Sequence, residues 1–233
     1  MNDLQKMGGV AALVNAAAYI IGLGLAFTLL APVVMDSNPD QYVAFLVNNQ
    51  ALMVGWHLII YLVAGVFMVP MVLGLHDRLK TGSPAMMQNA TAFGLIWAGL
   101  VIASGMLLVN DAGVVADLYG KDPAQAITVW LALSTVESGL GGAIELPGGV
   151  WVLLVSWAAL RTGGLPKGLN YLGLLVGVAG MITVVPTFSE LGSVFGLGAI
   201  VWFIWVGIVM VRSKASDLSE KQTAFASVHH TTI

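Results

Sequence analysis

Six stretches of this chain, residues 8–35, 51–75, 90–109, 142–160, 171–188 and 192–211, each run for about 18 residues or more with almost no charge. Hydrocarbon offers the backbone no hydrogen-bond partner, so each run is predicted to be a helix that satisfies its own amides. Charged residues make up 9% of the chain and apolar ones 58%, against about 25% charge in a soluble domain. The expected fold is therefore all-α, a polytopic integral membrane protein with a bundle of six transmembrane helices. At 233 residues, six spans leave no room for a separate soluble catalytic domain. The first run is about twice as long as the apolar part of a secretory signal and is read as a retained helix.

Orientation follows from lysine and arginine, which keep short loops on the cytoplasmic side. Lys6, Arg78, Lys80, Arg161, Lys167, Arg212, Lys214 and Lys221 all fall on one predicted face, and only Lys121 on the other. The opposite loops carry Asp36, Asp40, Asp111, Asp117, Asp122 and Glu190. Both termini are thus expected to be cytoplasmic, in the cell membrane. Residues 1–213 read as one six-span domain and residues 214–233 as a soluble tail.

The longest predicted connection covers residues 110–141, and its second half, 123–138, is too apolar for an open loop. It is expected to form a short helical cap on the outer face. A single helix from 126 to 160 would reach about 52 Å, too long for a hydrocarbon core of about 30 Å. A break is therefore predicted at residues 139–142 or 145–149, where Pro147 removes an amide donor and the glycines weaken the helix. Pro32, Pro70 and Pro186 read as kinks or helix ends.

In lipid, close packing through small residues supplies much of the attraction between helices. Gly173 and Gly177, Gly192 and Gly196, and Gly94 and Ala98 are spaced four apart, and Ser134, Ser138, Gly141 and Glu145 would share one helical stripe. These faces suit packing within the bundle or association with another membrane protein or a second copy. Trp56, Trp130, Trp151, Trp157, Trp202 and Trp205 fall near predicted span ends and read as headgroup anchors.

Ionisable groups inside a span are functional candidates by default. His57 and Glu145 are both expected near the outer face, with Glu137 and Asp111 bordering them. One imidazole with up to three carboxylates forms a candidate ligand or proton-relay site, and His57, Glu137 and Glu145 are weak candidates for a metal. No HExxH or calcium-loop pattern supports that metal. His57 and His76 lie on one predicted helix, 19 residues or about 28 Å apart, so they cannot share a haem iron. His229 and His230 sit in the tail, and His76 beside Asp77, Arg78 and Lys80 reads as a boundary cluster. No GxSxG elbow is present. Zero cysteines exclude thiolate chemistry, and a net charge of −3 excludes the basic footprint of a nucleic-acid binder.

Two segments carry a resemblance. One is Gly74-Leu75-His76-Asp77-Arg78-Leu79-Lys80; the other is Leu160-Arg161-Thr162-Gly163-Gly164-Leu165-Pro166-Lys167-Gly168-Leu169-Asn170-Tyr171-Leu172-Gly173. Together they resemble a bacterial family of small six-span membrane proteins catalogued as domain of unknown function 4386, over most of the chain. The resemblance implies a six-helix fold and brings no activity or catalytic residue with it. In the second segment Gly163 and Gly164 let a helix end reverse, Pro166 stops it continuing, and Arg161 and Lys167 face the anionic leaflet.

The sequence favours a non-catalytic accessory or structural subunit that packs within a larger membrane complex or homo-oligomer, and not an enzyme. A binder or transporter of a small molecule or ion, with its polar site near the outer leaflet, is the second reading. A membrane enzyme or metal site built on the same residues is the third. Bound lipid is expected and no other cofactor.

Overall fold

The computed structural model describes residues 3–34, 38–142 and 144–212. Asp36 and the predicted tail 214–233, with Lys214, Lys221, His229 and His230, lie outside the described residues. Those described contain helices and no strand. In chain order they are α1 (Asp3–Phe27), α2 (Ala31–Val34), α3 (Pro39–Asn48), α4 (Gln50–Leu79), α5 (Pro84–Tyr119), α6 (Pro123–Glu137), α7 (Leu146–Thr162), α8 (Lys167–Ile182) and α9 (Leu191–Arg212). α4 is interrupted by a π-helical segment, Leu58–Val63, and a second one, Ser138–Gly142, follows α6.

Four helices, α1, α4, α5 and α9, are long and apolar enough to cross a membrane. α7 and α8 are apolar but shorter, at 17 and 16 residues, or about 25 Å each. The side chains left on the outside are themselves apolar: Ile21, Ile96, Leu175, Leu197 and Val201 are each at least half exposed. Helices that are apolar all round belong in lipid or in a core.

The described residues form two compact units, 3–16, 67–98 and 145–212 in the first, and 17–34, 38–66, 99–142 and 144 in the second. The first unit is built on glycines. Gly8 of α1 and Gly74 of α4 meet backbone to backbone, each Cα within 3 Å of where the other's Cβ would stand. A Cβ on Gly149 or Gly177 would likewise strike the facing backbone, which draws α7 and α8 together. Gly94 and Gly148 make room for Trp151 and Trp97. Trp97, Trp151, Trp202, Phe195 and Phe203 form one buried aromatic cluster, with Trp151 and Trp202 edge to face at 5.5 Å.

The second unit packs α3 and α6 over Leu30, Val33, Val43, Leu46, Met53, Ala112, Val115 and Ala126. Asn38 caps α3 through Asp40 N, and Asp122 caps α6 through Gln125 N at 3.1 Å, each ahead of a proline in the first turn. Tyr42 stacks on Trp130 at 4.5 Å, and Trp56 Nε1 donates to Gly22 O at 3.0 Å.

Several sequence expectations need correction. α1 ends at Phe27, where Thr28 turns its hydroxyl back to Gly24 O and the chain enters the short α2 around Pro32. α5 runs ten residues past the predicted span end and takes Asn110, Asp111 and Asp117 with it. Trp151 and Trp202 are core residues, whereas Trp157 and Trp205 are exposed. The expected helix break is present: the π-helical segment follows Glu137, and α7 restarts at Leu146 with Pro147 in its first turn. Ser134 and Glu145 therefore do not share one continuous helical stripe.

Candidate functional site

In the second unit one carboxylate meets a half-buried phenol. Tyr61 Oη donates to Glu137 Oε1 at 2.9 Å. Glu137 is the last residue of α6, and Tyr61 lies in the π-helical turn of α4. Gly105 of α5 sits against Tyr61 Cβ, leaving space for the phenol. His57, the residue before that turn, is 3% exposed, and its ring lies 5.1 Å from Trp56 and 6.1 Å from Tyr61, centroid to centroid. Its Nδ1 is buried with no hydrogen-bond partner. π-helical turns occur mainly as single insertions, often at functional sites; here one carries Tyr61 directly after His57, and the other directly follows Glu137.

Electrostatics follow from burial. Removal from water raises the Glu137 carboxyl above its ordinary range, and the Tyr61 hydrogen bond acts in the opposite sense. Burial, with the Glu137 charge nearby, pushes the Tyr42 phenol up to about 12. The arrangement places a carboxyl reluctant to ionise against a phenol donor, with a buried imidazole nitrogen that lacks a hydrogen-bond partner one ring away. Such a group can hold a proton or a small cation.

The four expected site residues are divided between the two units. His57, Asp111 and Glu137 belong to the second unit and Glu145 to the first. Asp111 is buried on α5. Glu145 precedes α7, where its amide donates to Thr183 Oγ1 at 2.9 Å and its carbonyl accepts from Gly149 N. Among the described residues no group of three or more His, Asp or Glu side chains is placed to hold a metal ion. Tyr61 was not singled out by the sequence, since a tyrosine in an apolar run carries no charge signal.

His76 plays another part. His76 Nδ1 lies 2.7 Å from Thr91 Oγ1 and 3.2 Å from Met87 O, and Thr91 Oγ1 donates to Met87 O at 2.7 Å. The half-buried ring ties α4 to α5. Nearby, Arg78 Nε donates to Gly164 O at 2.9 Å, so the two segments that carry the family resemblance touch.

Long apolar helices with apolar exteriors, enclosing a small buried polar group, define a helical membrane protein. The family model described as Domain of unknown function (DUF4386) matches residues 7–212, and the chain belongs to that family. No curated protein and no solved structure matches the chain.

Proposed function

We propose that this is a six-span protein of the cell membrane, with both termini cytoplasmic, that binds a proton or small cation near the outer leaflet at Tyr61 and Glu137, with His57 as the exchanging base. The observation that carries this reading is the Tyr61–Glu137 hydrogen bond, 76 residues apart in sequence and flanked by two π-helical segments. The crossings are α1, α4, α5, α7, α8 and α9, with α3 and α6 as the outer cap. The distribution of basic residues supports the orientation, eight of nine falling on one side of such a path. α7 and α8 fall only a few ångströms short of an about 30 Å core, a mismatch that local thinning accommodates.

Proteoliposomes loaded with a pH-sensitive dye test the reading. An imposed proton or alkali-cation gradient is expected to decay faster than in empty vesicles, and Glu137→Gln and His57→Gln to slow it toward the empty-vesicle rate. Equal decay in wild type and both variants rules the reading out.

The accessory-subunit reading is supported by Gly196 of α9, whose Cβ position, like those of Gly24, Gly55 and Gly99, meets nothing within 4 Å. Gly173 and Gly177, by contrast, are used inside the chain, against Ser156 and Leu153 of α7.

A further inference from the structure

The turn between α7 and α8 is unusual in what lies against it. Arg78, in the last turn of α4, is 8% exposed, and a guanidinium carries five N–H donors. Its Nε is spent on Gly164 O, whereas Nη1 is buried with no partner. The adjacent carboxylate, Asp77, is turned elsewhere: it accepts from Lys80 Nζ at 2.6 Å and from Gln5 Nε2 at 3.1 Å. Among the described residues no carboxylate pairs with Arg78. A buried cation without an anion is costly, and one with only part of its donors satisfied still more so.

The same turn opens α8. Pro166 is the residue before its first turn and gives no side-chain cap, so the amides of Lys167, Gly168 and Leu169 have no acceptor within the helix. The Gly164 and Leu165 carbonyls are already engaged, by Arg78 and by Asn170 Nδ2 at 3.1 Å. At the start of α8 the turn therefore offers unpaired amide donors, with the buried Arg78 guanidinium against it. Arg161 and Lys167 flank it, both exposed, and Pro166 and Gly168 are exposed as well. A helix N-terminus with an unpaired guanidinium beside it is the arrangement that holds tetrahedral oxyanions.

We propose that the turn at residues 163–166, with Arg78 against it and Arg161 and Lys167 on its flanks, binds a phosphate group, either the headgroup of an anionic phospholipid or a free phosphate anion. The site is independent of the Tyr61–Glu137 pair and stands or falls separately. Basic residues near a membrane attract anionic lipid diffusely; Arg78 differs in being buried, so it selects a phosphate for which the other members of the turn supply the remaining contacts.

The test is thermal unfolding of the full chain in vesicles of phosphatidylcholine, of phosphatidylcholine with phosphatidylglycerol, and of phosphatidylcholine with inorganic phosphate in the buffer. The wild type is expected to gain about 3 °C or more from one of the two additions. Arg78→Gln should lose that gain, while Lys121→Gln, on the other predicted face, should keep it. A gain from phosphatidylglycerol alone assigns the lipid as the source, and one from inorganic phosphate assigns the free anion. No gain from either, or the same gain in Arg78→Gln, overturns the proposal. Should Arg78→Gln fail to fold, native mass spectrometry decides. Wild type is expected to retain a phosphate-bearing molecule that Arg161→Gln with Lys167→Gln retains about tenfold less, and equal retention overturns the proposal.

Discussion

Tyr61 Oη and Glu137 Oε1 lie 2.9 Å apart, joining the π-helical turn of α4 to the C-terminal end of α6. A hydrogen bond to an ionisable carboxyl at a buried site is stronger than an average one. Tyr61→Phe is expected to destabilise by about 1–3 kcal/mol, and Glu137→Gln by less, since an amide oxygen still accepts. A double-mutant cycle in detergent unfolding should return a coupling of about 1 kcal/mol. Additivity within a few tenths would show the pair to be energetically idle.

The pH dependence has a definite sign. Burial raises the Glu137 pKa in the folded chain, so the native state holds the proton more tightly than the unfolded one. Stability is therefore fullest below the ordinary glutamate range and declines as pH rises through the raised value. Glu137→Gln should flatten that decline in a series of melting curves. Tyr42 behaves the same way in alkali, with its contribution lost from about 10 to about 12, and Tyr42→Phe should remove that second loss. Stability that rises with pH across the acidic window would contradict the assignment.

Two glycines spaced alike in their helices should respond oppositely to a methyl group. A Cβ on Gly177 would come within 2.8 Å of Leu153 Cβ and Gly149 O, while one on Gly196 would meet nothing within 4 Å. Gly177→Ala is expected to cost about 1–3 kcal/mol through forced separation of α7 and α8. Gly196→Ala should be neutral or stabilise by about 0.4–1 kcal/mol. Chemical denaturation of both variants checks this, and a loss of oligomer on Gly196→Ala would instead favour the accessory-subunit reading.

Topology is open to a clean labelling experiment because the chain has no cysteine. Six crossings require Lys121→Cys to react with an impermeant reagent from outside, and Lys80→Cys and Lys167→Cys only after the membrane is opened. If Lys167→Cys reacts from outside, α7 and α8 form a re-entrant pair and the chain crosses four times.

Much of the helical layout was legible in the sequence because apolar runs, prolines and caps act locally. Asp122 before Pro123 marks the start of α6, and Pro147 marks the restart of α7. The end of α5 is hidden in the sequence because Asn110, Asp111 and Asp117 look like a loop, whereas Ala112 and Val115 on the same helix are buried in a core supplied by α2, α3 and α6. Position alone points Trp151 and Trp202 to the headgroup layer; the glycines facing them, Gly94 and Gly173, are what admit them to the core. Glu137 was visible as a charge in an apolar setting, but its partner Tyr61 was not, nor was the contact of Arg78 with Gly164 across 86 residues.

The reading rests most heavily on Glu137 carrying an exchangeable proton. Infrared titration of the protein in lipid nanodiscs observes that proton without assuming any substrate. A protonated-carboxyl band that persists above the ordinary glutamate range, shifts in Tyr61→Phe and vanishes in Glu137→Gln is the expected result. A spectrum in which every carboxyl titrates in the ordinary range, unchanged by either substitution, would contradict it.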